Sequence, residues 1–211
     1  MRTLFIQTIV AFMGMTFISL PILAQDLKDG KTTYRTCQVC HGDKGQGLLA
    51  LEGPALAGQY DWYLTRQMEY FRTDVRGTDE NDPFSQQMAG MAVMVSDDTQ
   101  VSNVIAYIGT LKSTDTGVTI KGSKKRGKKI YQNCITCHGL RAAGEPDTGA
   151  PNLAILNDWY VYKQMKNFDS KLRGTHKKDK WGKLMMEQAI FPSDTQGMMD
   201  VTVYIRSKRR K

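Results

Sequence analysis

The chain has 211 residues, of which 41% are apolar and 24% are charged, and its formal net charge is +8. This composition excludes a disordered chain and a membrane protein with many spanning helices. The charge is uneven, because residues 25–111 carry a net charge of −5 and residues 112–211 carry +12. Such polarity predicts oriented docking to another molecule, and no nucleic-acid partner is expected.

The chain begins with a segment typical of an export signal. Arg2 precedes an apolar run from Leu4 to Leu23, which ends at Ala24 before a polar stretch. We expect cleavage after Ala24, so that residues 1–24 are a signal peptide and the mature protein is periplasmic. A retained membrane anchor is the alternative, since the run is nearly long enough to cross a bilayer.

Every cysteine of the chain lies in one of two C-x-x-C-H motifs, which end at His41 and His138. This motif is the signature of covalent haem attachment, because two thiols a few residues apart can bond both vinyl groups of one porphyrin while the adjacent His lies under the iron. We therefore predict two covalently bound haem c groups. The attaching residues are Cys37, Cys40, Cys134 and Cys137. A zinc site or two disulfides are alternatives, but neither explains the His after each pair.

The two motifs belong to an internal repeat. They are 97 residues apart, and at this offset 28 of the 79 positions from Gly30 to Ile108 are identical to their partners. Asp61-Trp62-Tyr63, for example, returns as Asp158-Trp159-Tyr160. The chain is thus predicted to contain two copies of one domain, each with its own haem. The first copy spans residues 25–111 and the second spans 127–211.

The spacing of apolar residues predicts an all-α fold. Within the first copy, a helix leads from about Asp29 to Cys40, and Asp61 is expected to cap a second helix. Ser96 and Asp97 mark the start of a final helix, and Ser193-Asp194 marks its equivalent in the second copy. A domain of about 80 residues has a thin core, so a buried porphyrin would form much of it.

Residues 112–126 join the copies and are rich in Lys, Gly, Ser and Thr. They are predicted to be a linker, and a second basic cluster closes the chain from Arg206 to Lys211. One interpretation of both clusters is solvated, flexible charge. The alternative is attachment to an acidic partner or to an anionic membrane surface.

Together these motifs resemble a known family. Each copy has C-x-x-C-H, then Pro-x-Leu-Ala, an aromatic-rich helix, an Arg-Gly turn, and a Met before a Ser-Asp pair. This order is similar to that of cytochrome c₄, a family of two tandem class I cytochrome c domains, and it covers nearly the whole mature chain. In that family a motif His and a Met sulfur hold each iron. The resemblance therefore implies His41 with Met88, and His138 with Met185.

The repeat supports this choice of methionines. Met88 follows His41 by 47 residues and Met185 follows His138 by the same interval, whereas Met91 and Met94 have no Met partner in the second copy. Met186 remains an alternative ligand there, because it adjoins Met185.

The resemblance implies further roles. The backbone carbonyls of Pro54 and Pro151 would bond the other ring nitrogen of each ligand His. Four aromatic side chains would pack near the haems or bond their propionates, or would instead be ordinary buried aromatics with a satisfied polar tip; they are Trp62, Tyr63, Trp159 and Tyr160. Arg76 and Arg173 would pair with propionates or lie exposed in turns. His176 is expected at the surface among lysines.

Ligation by His and Met leaves no vacant position on the iron, so the implied chemistry is one-electron exchange by a carrier and not an enzyme. The family resemblance implies transfer from a quinol-oxidising complex to a terminal oxidase or reductase. A haem subunit of a specific dehydrogenase, such as one that oxidises thiosulfate or an alcohol, is the alternative. A catalytic dihaem peroxidase needs a haem that can open a position, which the symmetrical Met placement argues against.

Overall fold

A computed structural model describes residues 25–95 and 97–209. The predicted signal peptide and Ser96 lie outside this range. Within it the chain is helical, and its only β-structure is two isolated bridges, Leu48 with Gly53 and Glu145 with Ala150. The all-α prediction is therefore confirmed for the described part. None of the described helices has the length and apolarity needed to cross a membrane.

The helices of the two copies occur in the same order. In the first copy they are α1 (Leu27–His41), α2 (Asp61–Arg72), α3 (Pro83–Ala92) and α4 (Asp98–Gly109). In the second copy they are α5 (Lys124–Ile130), α6 (Ile135–His138), α7 (Asp158–Asp169), α8 (Lys180–Gln188) and α9 (Thr195–Arg206). A 3₁₀ turn, Tyr131–Cys134, joins α5 to α6, so these three short elements take the place of α1.

The first and last helices of each copy cross closely. A Cβ on Gly30 of α1 would overlap the backbone carbonyl of Asn103 in α4, so only glycine permits this approach. Tyr34 packs on Tyr107 beside the crossing, with ring centroids 5.4 Å apart, and Tyr131 packs on Tyr204 at 5.3 Å. Each copy has its own apolar cluster around these tyrosines.

Aspartates begin both final helices. The Asp97 carboxylate accepts a hydrogen bond from the Gln100 amide at 2.8 Å, and Asp194 accepts one from the Gly197 amide. The predicted cap at Asp61 is wrong, because Asp61 is already the first residue of α2 and the cap position belongs to Tyr60, which makes no side-chain bond there. The Asp61 carboxylate instead acts as a negative charge in the first turn, which favours the helix dipole.

The linker is held against the second copy along much of its length. Asp158 accepts hydrogen bonds from the Thr119 and Ile120 amides at 2.8 and 3.0 Å. Asp200 pairs with Arg126, while its carboxylate also accepts from the Ser123 amide at 2.7 Å. The lysines of this segment are exposed, as the solvated-charge interpretation expects, but two buried carboxylates bind its backbone and hold it against the second copy.

The basic tail is also partly built into the fold. Arg206 pairs with Asp115 of the linker at 2.7 Å. Arg209 donates to the backbone carbonyls of Ile155, Leu156 and Thr114. These two arginines therefore fasten the end of α9 to the linker and to the loop before α7, and they are not freely solvated charges.

Candidate functional site

The first C-x-x-C-H motif closes α1 at the edge of a deep cleft. Gly42 has φ 83°, which ends the helix and leaves His41 in its last turn. Cys37, Cys40 and His41 line a mostly apolar cleft of about 1430 Å³, including the solvent at its mouth. The motif therefore presents two thiols and one imidazole to the same large cavity.

His41 is buried and oriented by the backbone. Its side chain is only 7% exposed, and its Nδ1 lies 2.8 Å from the carbonyl oxygen of Pro54. Burial lowers the pKa of His41, and the Pro54 carbonyl offsets this only in part. The imidazole is therefore neutral, with Nδ1–H donating to Pro54 and Nε2 left as the free lone pair. The expected Pro54 contact is confirmed.

His138 has a similar setting with one difference. It is 6% exposed, and burial lowers its pKa to about 4, although the Pro151 carbonyl acts in the opposite direction. Its Nδ1 makes no hydrogen bond of normal geometry. The expected hydrogen bond from His138 to the Pro151 carbonyl is therefore not formed, although that carbonyl lies close enough to act on the pKa of the ring.

The state of the four cysteines supports neither the disulfides nor the zinc site that were the alternatives to haem attachment. All four are free thiols, so neither disulfide is formed. No group of three or more His, Cys, Asp or Glu side chains within residues 25–95 and 97–209 is arranged to hold a metal ion, which argues against zinc. Burial raises the pKa of Cys37 and of Cys134 to about 11, so both thiols are protonated at neutral pH.

Methionine sulfurs share the first cleft with the motif. Met88 and Met91, both on α3, line it together with His41, and Met68 of α2 does so as well. Met88 is half-buried, as is Met185 at the equivalent position of α8. Met186 is half-buried too, so burial does not separate the two neighbours.

An arginine from each copy lies in the contact between the copies. Arg76 is 8% exposed and donates to Gln67 of its own copy at 2.6 Å. It also donates to the Tyr160 hydroxyl at 3.2 Å and to Gln164 at 3.1 Å, both in the second copy. The exposed-turn interpretation of Arg76 is wrong, because its guanidinium is buried and donates to three polar partners, while its Nε has none.

Arg173 makes the equivalent contacts from the second copy to the first. It donates to Gln164 of its own copy at 2.7 Å, and across the contact to Gln67 at 3.1 Å and to the Tyr63 hydroxyl at 3.3 Å. Tyr63, Tyr160 and Gln164 also line the first cleft. The network therefore forms part of the wall between that cleft and the second copy.

Asn157 is a second bridge between the copies. Its side chain is 2% exposed and accepts from the Ala55 amide at 2.7 Å, next to Pro54. It donates to the Gln46 carbonyl at 3.1 Å and to Thr116 of the linker at 2.8 Å. Sequence reasoning missed this residue, because its counterpart Tyr60 is different and the repeat gives no signal there.

His176 is less exposed than expected. It is half-buried and lines a small polar pocket between the copies, together with Asp79, its counterpart in the repeat. Its Nδ1 accepts a hydrogen bond from the Lys178 amide at 3.2 Å.

The residues of the first cleft fit a haem. The cavity is apolar, large, and bounded by the two motif thiols and a neutral imidazole. The Nε of Arg76, which lines the cleft, is a buried donor without a partner, and so is the Nε1 of Trp62 elsewhere in the same copy. Such unpaired groups are costly unless a ligand satisfies them.

Comparison with known proteins agrees with this geometry. The family model described as cytochrome c matches residues 27–112 and 124–208. Cytochrome c4 of Pseudomonas aeruginosa is 29% identical over 185 residues, which cover 84% of this chain and 85% of that protein. The thiosulfate dehydrogenase electron acceptor of Thiomonas intermedia is 30% identical over 76% of this chain and 73% of its own length.

A solved structure has the same fold. Cytochrome c4 of Acidithiobacillus ferrooxidans superposes with a TM-score of 0.63 at 25% identity, covering 82% of this chain and 99% of that one. Since the two regions that match the family model together cover most of the chain, the chain belongs to the cytochrome c family, as two tandem domains of the dihaem cytochrome c₄ type that bind covalent haem c.

Proposed function

We propose that this chain is a periplasmic electron carrier whose haems are attached at Cys37 and Cys40 and at Cys134 and Cys137. His41 with Met88, and His138 with Met185, would hold the two irons. The observation that carries the assignment is the repeated one: a buried neutral imidazole ends each motif, and a methionine follows it at the same 47-residue interval. The proposed domains are residues 25–111 and 127–211, with 1–24 as a cleaved leader and 112–126 as the linker.

The chain's own groups prepare each site for reversible electron exchange. A six-coordinate haem supplies one-electron chemistry between Fe(II) and Fe(III). Pro54 accepts from His41 Nδ1 and so fixes the ring orientation and the tautomer that leaves Nε2 free. The apolar walls of the first cleft would keep water from the bound haem, and a Met sulfur would hold the iron as its second protein ligand. The protein is therefore a carrier, and the catalytic peroxidase alternative requires an open position that these ligands do not provide.

The contact between the copies supports internal electron exchange. Arg76 and Arg173 each bind polar groups of both copies, and Lys163 of the second copy pairs with Glu52 of the first. Tyr160 of the second copy lines the first cleft. These contacts keep the two sites at a fixed separation, which suits entry of electrons at one domain and exit at the other.

The partners are redox proteins. The leading proposal is transfer from a quinol-oxidising complex to a terminal oxidase or reductase. The alternative, service to a specific dehydrogenase, gains support from the relative named as the electron acceptor of a thiosulfate dehydrogenase. The net charges of −5 and +12 would bias which partner meets which domain, and this association weakens as salt rises.

An optically monitored redox titration of the purified holoprotein tests this function. We expect two haems per chain, two one-electron steps, and the weak near-infrared band that marks a Met-ligated ferric haem. Carbon monoxide should not bind the reduced native protein. A single haem per chain, or carbon monoxide binding at either site, would contradict the proposal.

A further inference from the structure

Five exposed lysines lie within residues 171–183 of the second copy, and we call this set the basic ridge. They are Lys171, Lys177, Lys178, Lys180 and Lys183. They occupy the turn after α7, the loop that follows it, and the first turn of α8. In the linker and the tail, Arg126, Arg206 and Arg209 are engaged by groups of the same chain, although the linker lysines are exposed as the ridge lysines are.

The basic ridge has no counterpart in the first copy. In the repeat, the residues of the first copy that correspond to these lysines are, in order, Asp74, Glu80, Asn81, Pro83 and Gln86. Both copies fold this segment alike, since Asp74 and Lys171 share a positive φ of 57° and 62°. The two copies therefore share the backbone conformation here but differ in charge, with five lysines in the second copy and two acidic and three uncharged residues in the first. These five positions account for seven units of the charge difference between residues 25–111 and 112–211.

The basic ridge lies on the back of the helix that carries the proposed ligand Met185. One exposed face of α8 carries Lys180 together with Lys183 and Leu184, which follow it by three and four positions. Met185 lies on a different face and is half-buried. A helix with its side chains is about 10–12 Å across, so a molecule bound on the outer face lies about one helix width from the sulfur.

Apolar side chains accompany these lysines. Leu184 is 38% exposed and Ile190, just beyond the end of α8, is 70% exposed. Lys183 lies 3.7 Å from Glu187, and both are about half exposed, so this weak pair leaves the lysine accessible. An apolar centre with a charged rim is the usual composition of a protein-binding surface.

We propose that the basic ridge is the docking site for an acidic redox protein, which exchanges one electron with the second domain there. This inference rests on the proposed electron-carrier function. An anionic membrane is the less suitable occupant, because the acidic loop of the first copy lies beside the ridge: Asp79 and His176 line one pocket, and Glu80 follows Asp79. A flat anionic surface would meet that loop as well, whereas a small protein can bind the second copy alone.

The test compares two triple variants of the full-length holoprotein. The ridge variant is Lys177→Glu with Lys178→Glu and Lys183→Glu. The matched control is Lys124→Glu with Lys125→Glu and Lys129→Glu, which alters three exposed lysines of α5 and changes the net charge by the same amount. Oxidised plant plastocyanin, a small acidic copper protein, serves as the probe. In stopped flow, each encounter oxidises one Fe(II) to Fe(III) and reduces one Cu(II) to Cu(I).

We expect the ridge variant to react with plastocyanin about tenfold more slowly at low salt and to lose most of its salt dependence, while the control slows by about twofold or less. Equal slowing of both variants would show that net charge alone matters and would overturn the proposal. An unchanged plastocyanin rate in a ridge variant that no longer binds phosphatidylglycerol vesicles would assign the surface to membranes and overturn it too. Haem content and the redox titration of each variant report separately on the electron-carrier function.

Discussion

Gly127 and Asp200 touch where the first and last helices of the second copy cross. A Cβ on Gly127 would overlap the backbone carbonyl oxygen of Asp200, and Gly30 stands in the same relation to Asn103 in the first copy. The crossing brings the segment that leads into each haem motif against the carboxyl-terminal helix. Both positions therefore require glycine for space and not for an unusual backbone angle.

Replacing Gly127 with Ala should destabilise the second domain by about 3 kcal/mol, because α5 must move away from α9. Chemical denaturation followed by circular dichroism measures the free energy of unfolding. Gly90→Ala is the matched control, since Gly90 lies within α3 with nothing near its Cβ position. That variant should be neutral or stabilised by about 0.5–1 kcal/mol. Equal unfolding free energies for the two variants would contradict the close approach of α5 and α9 at Gly127.

Met88→Ala and Met185→Ala should each remove about half of the near-infrared band of the ferric protein, since each proposed ligand serves one of two haems. Met94→Ala is the control, because Met94 is 67% exposed and should leave the spectrum unchanged. Absorption spectroscopy of the purified variants measures the effect. Loss of the band in Met186→Ala together with a normal spectrum for Met185→Ala would transfer the ligand role to Met186.

Asn157→Ala should loosen the coupling between the two domains. The substitution leaves the Ala55 amide without its acceptor and removes donors to Gln46 and Thr116, at a cost of about 1–3 kcal/mol. Scanning calorimetry should show two transitions that lie further apart than in the native protein. Asn81→Ala is the control, because Asn81 is exposed and bonds only to Asp79. An unchanged calorimetric profile for Asn157→Ala would argue against this bridge.

Acid should weaken the anchoring of the linker through Asp200. Burial by itself raises the pKa of this carboxyl, but hydrogen bonds from Arg126, Ser123 and Gln196 outweigh it and hold the pKa below its ordinary value. Because the pKa is lower in the folded chain than in the unfolded chain, the carboxylate stabilises the fold above about pH 4, and this contribution is lost as the pH falls further.

Asp200→Asn should therefore lower stability at pH 7 and flatten the decline of the unfolding free energy between about pH 4 and pH 2. Urea denaturation across this pH range measures both effects. Asp98→Asn is the control, since the Asp98 side chain is 97% exposed and its pair with Arg72 is open to solvent. The same pH profile for Asp200→Asn and the native protein would contradict this role.

Local chemistry explains why much of the site was predictable. The motif cysteines and histidines are adjacent in the chain, and the duplication supplies an internal comparison that selects Met88 and Met185 by position. Glycine at 30 and 127 was likewise visible as a repeated residue. Asp61 was misjudged because a cap and a first-turn acid are one residue apart, and only the backbone decides which position the aspartate occupies.

The contacts between the copies could not be read from the repeat. Gln67 and Gln164 are identical in both copies, but nothing in one copy reveals that each glutamine accepts from the other copy's arginine. Arg209 was also unpredictable. A cation in a basic run is ordinarily solvated, but Arg209 binds backbone carbonyls of a loop that is distant in the sequence.

Residue order and spacing along one helix or loop were enough to predict the duplicated helical fold, the two haem motifs and the charge difference between the copies. Which arginines are engaged could be seen only in the folded chain. Arginines of the linker and tail are occupied by Asp200, Asp115 and backbone carbonyls, whereas the lysines around the start of α8 stay exposed. Partners far apart in the chain meet only when it folds, so the availability of a charge is a property of the folded molecule.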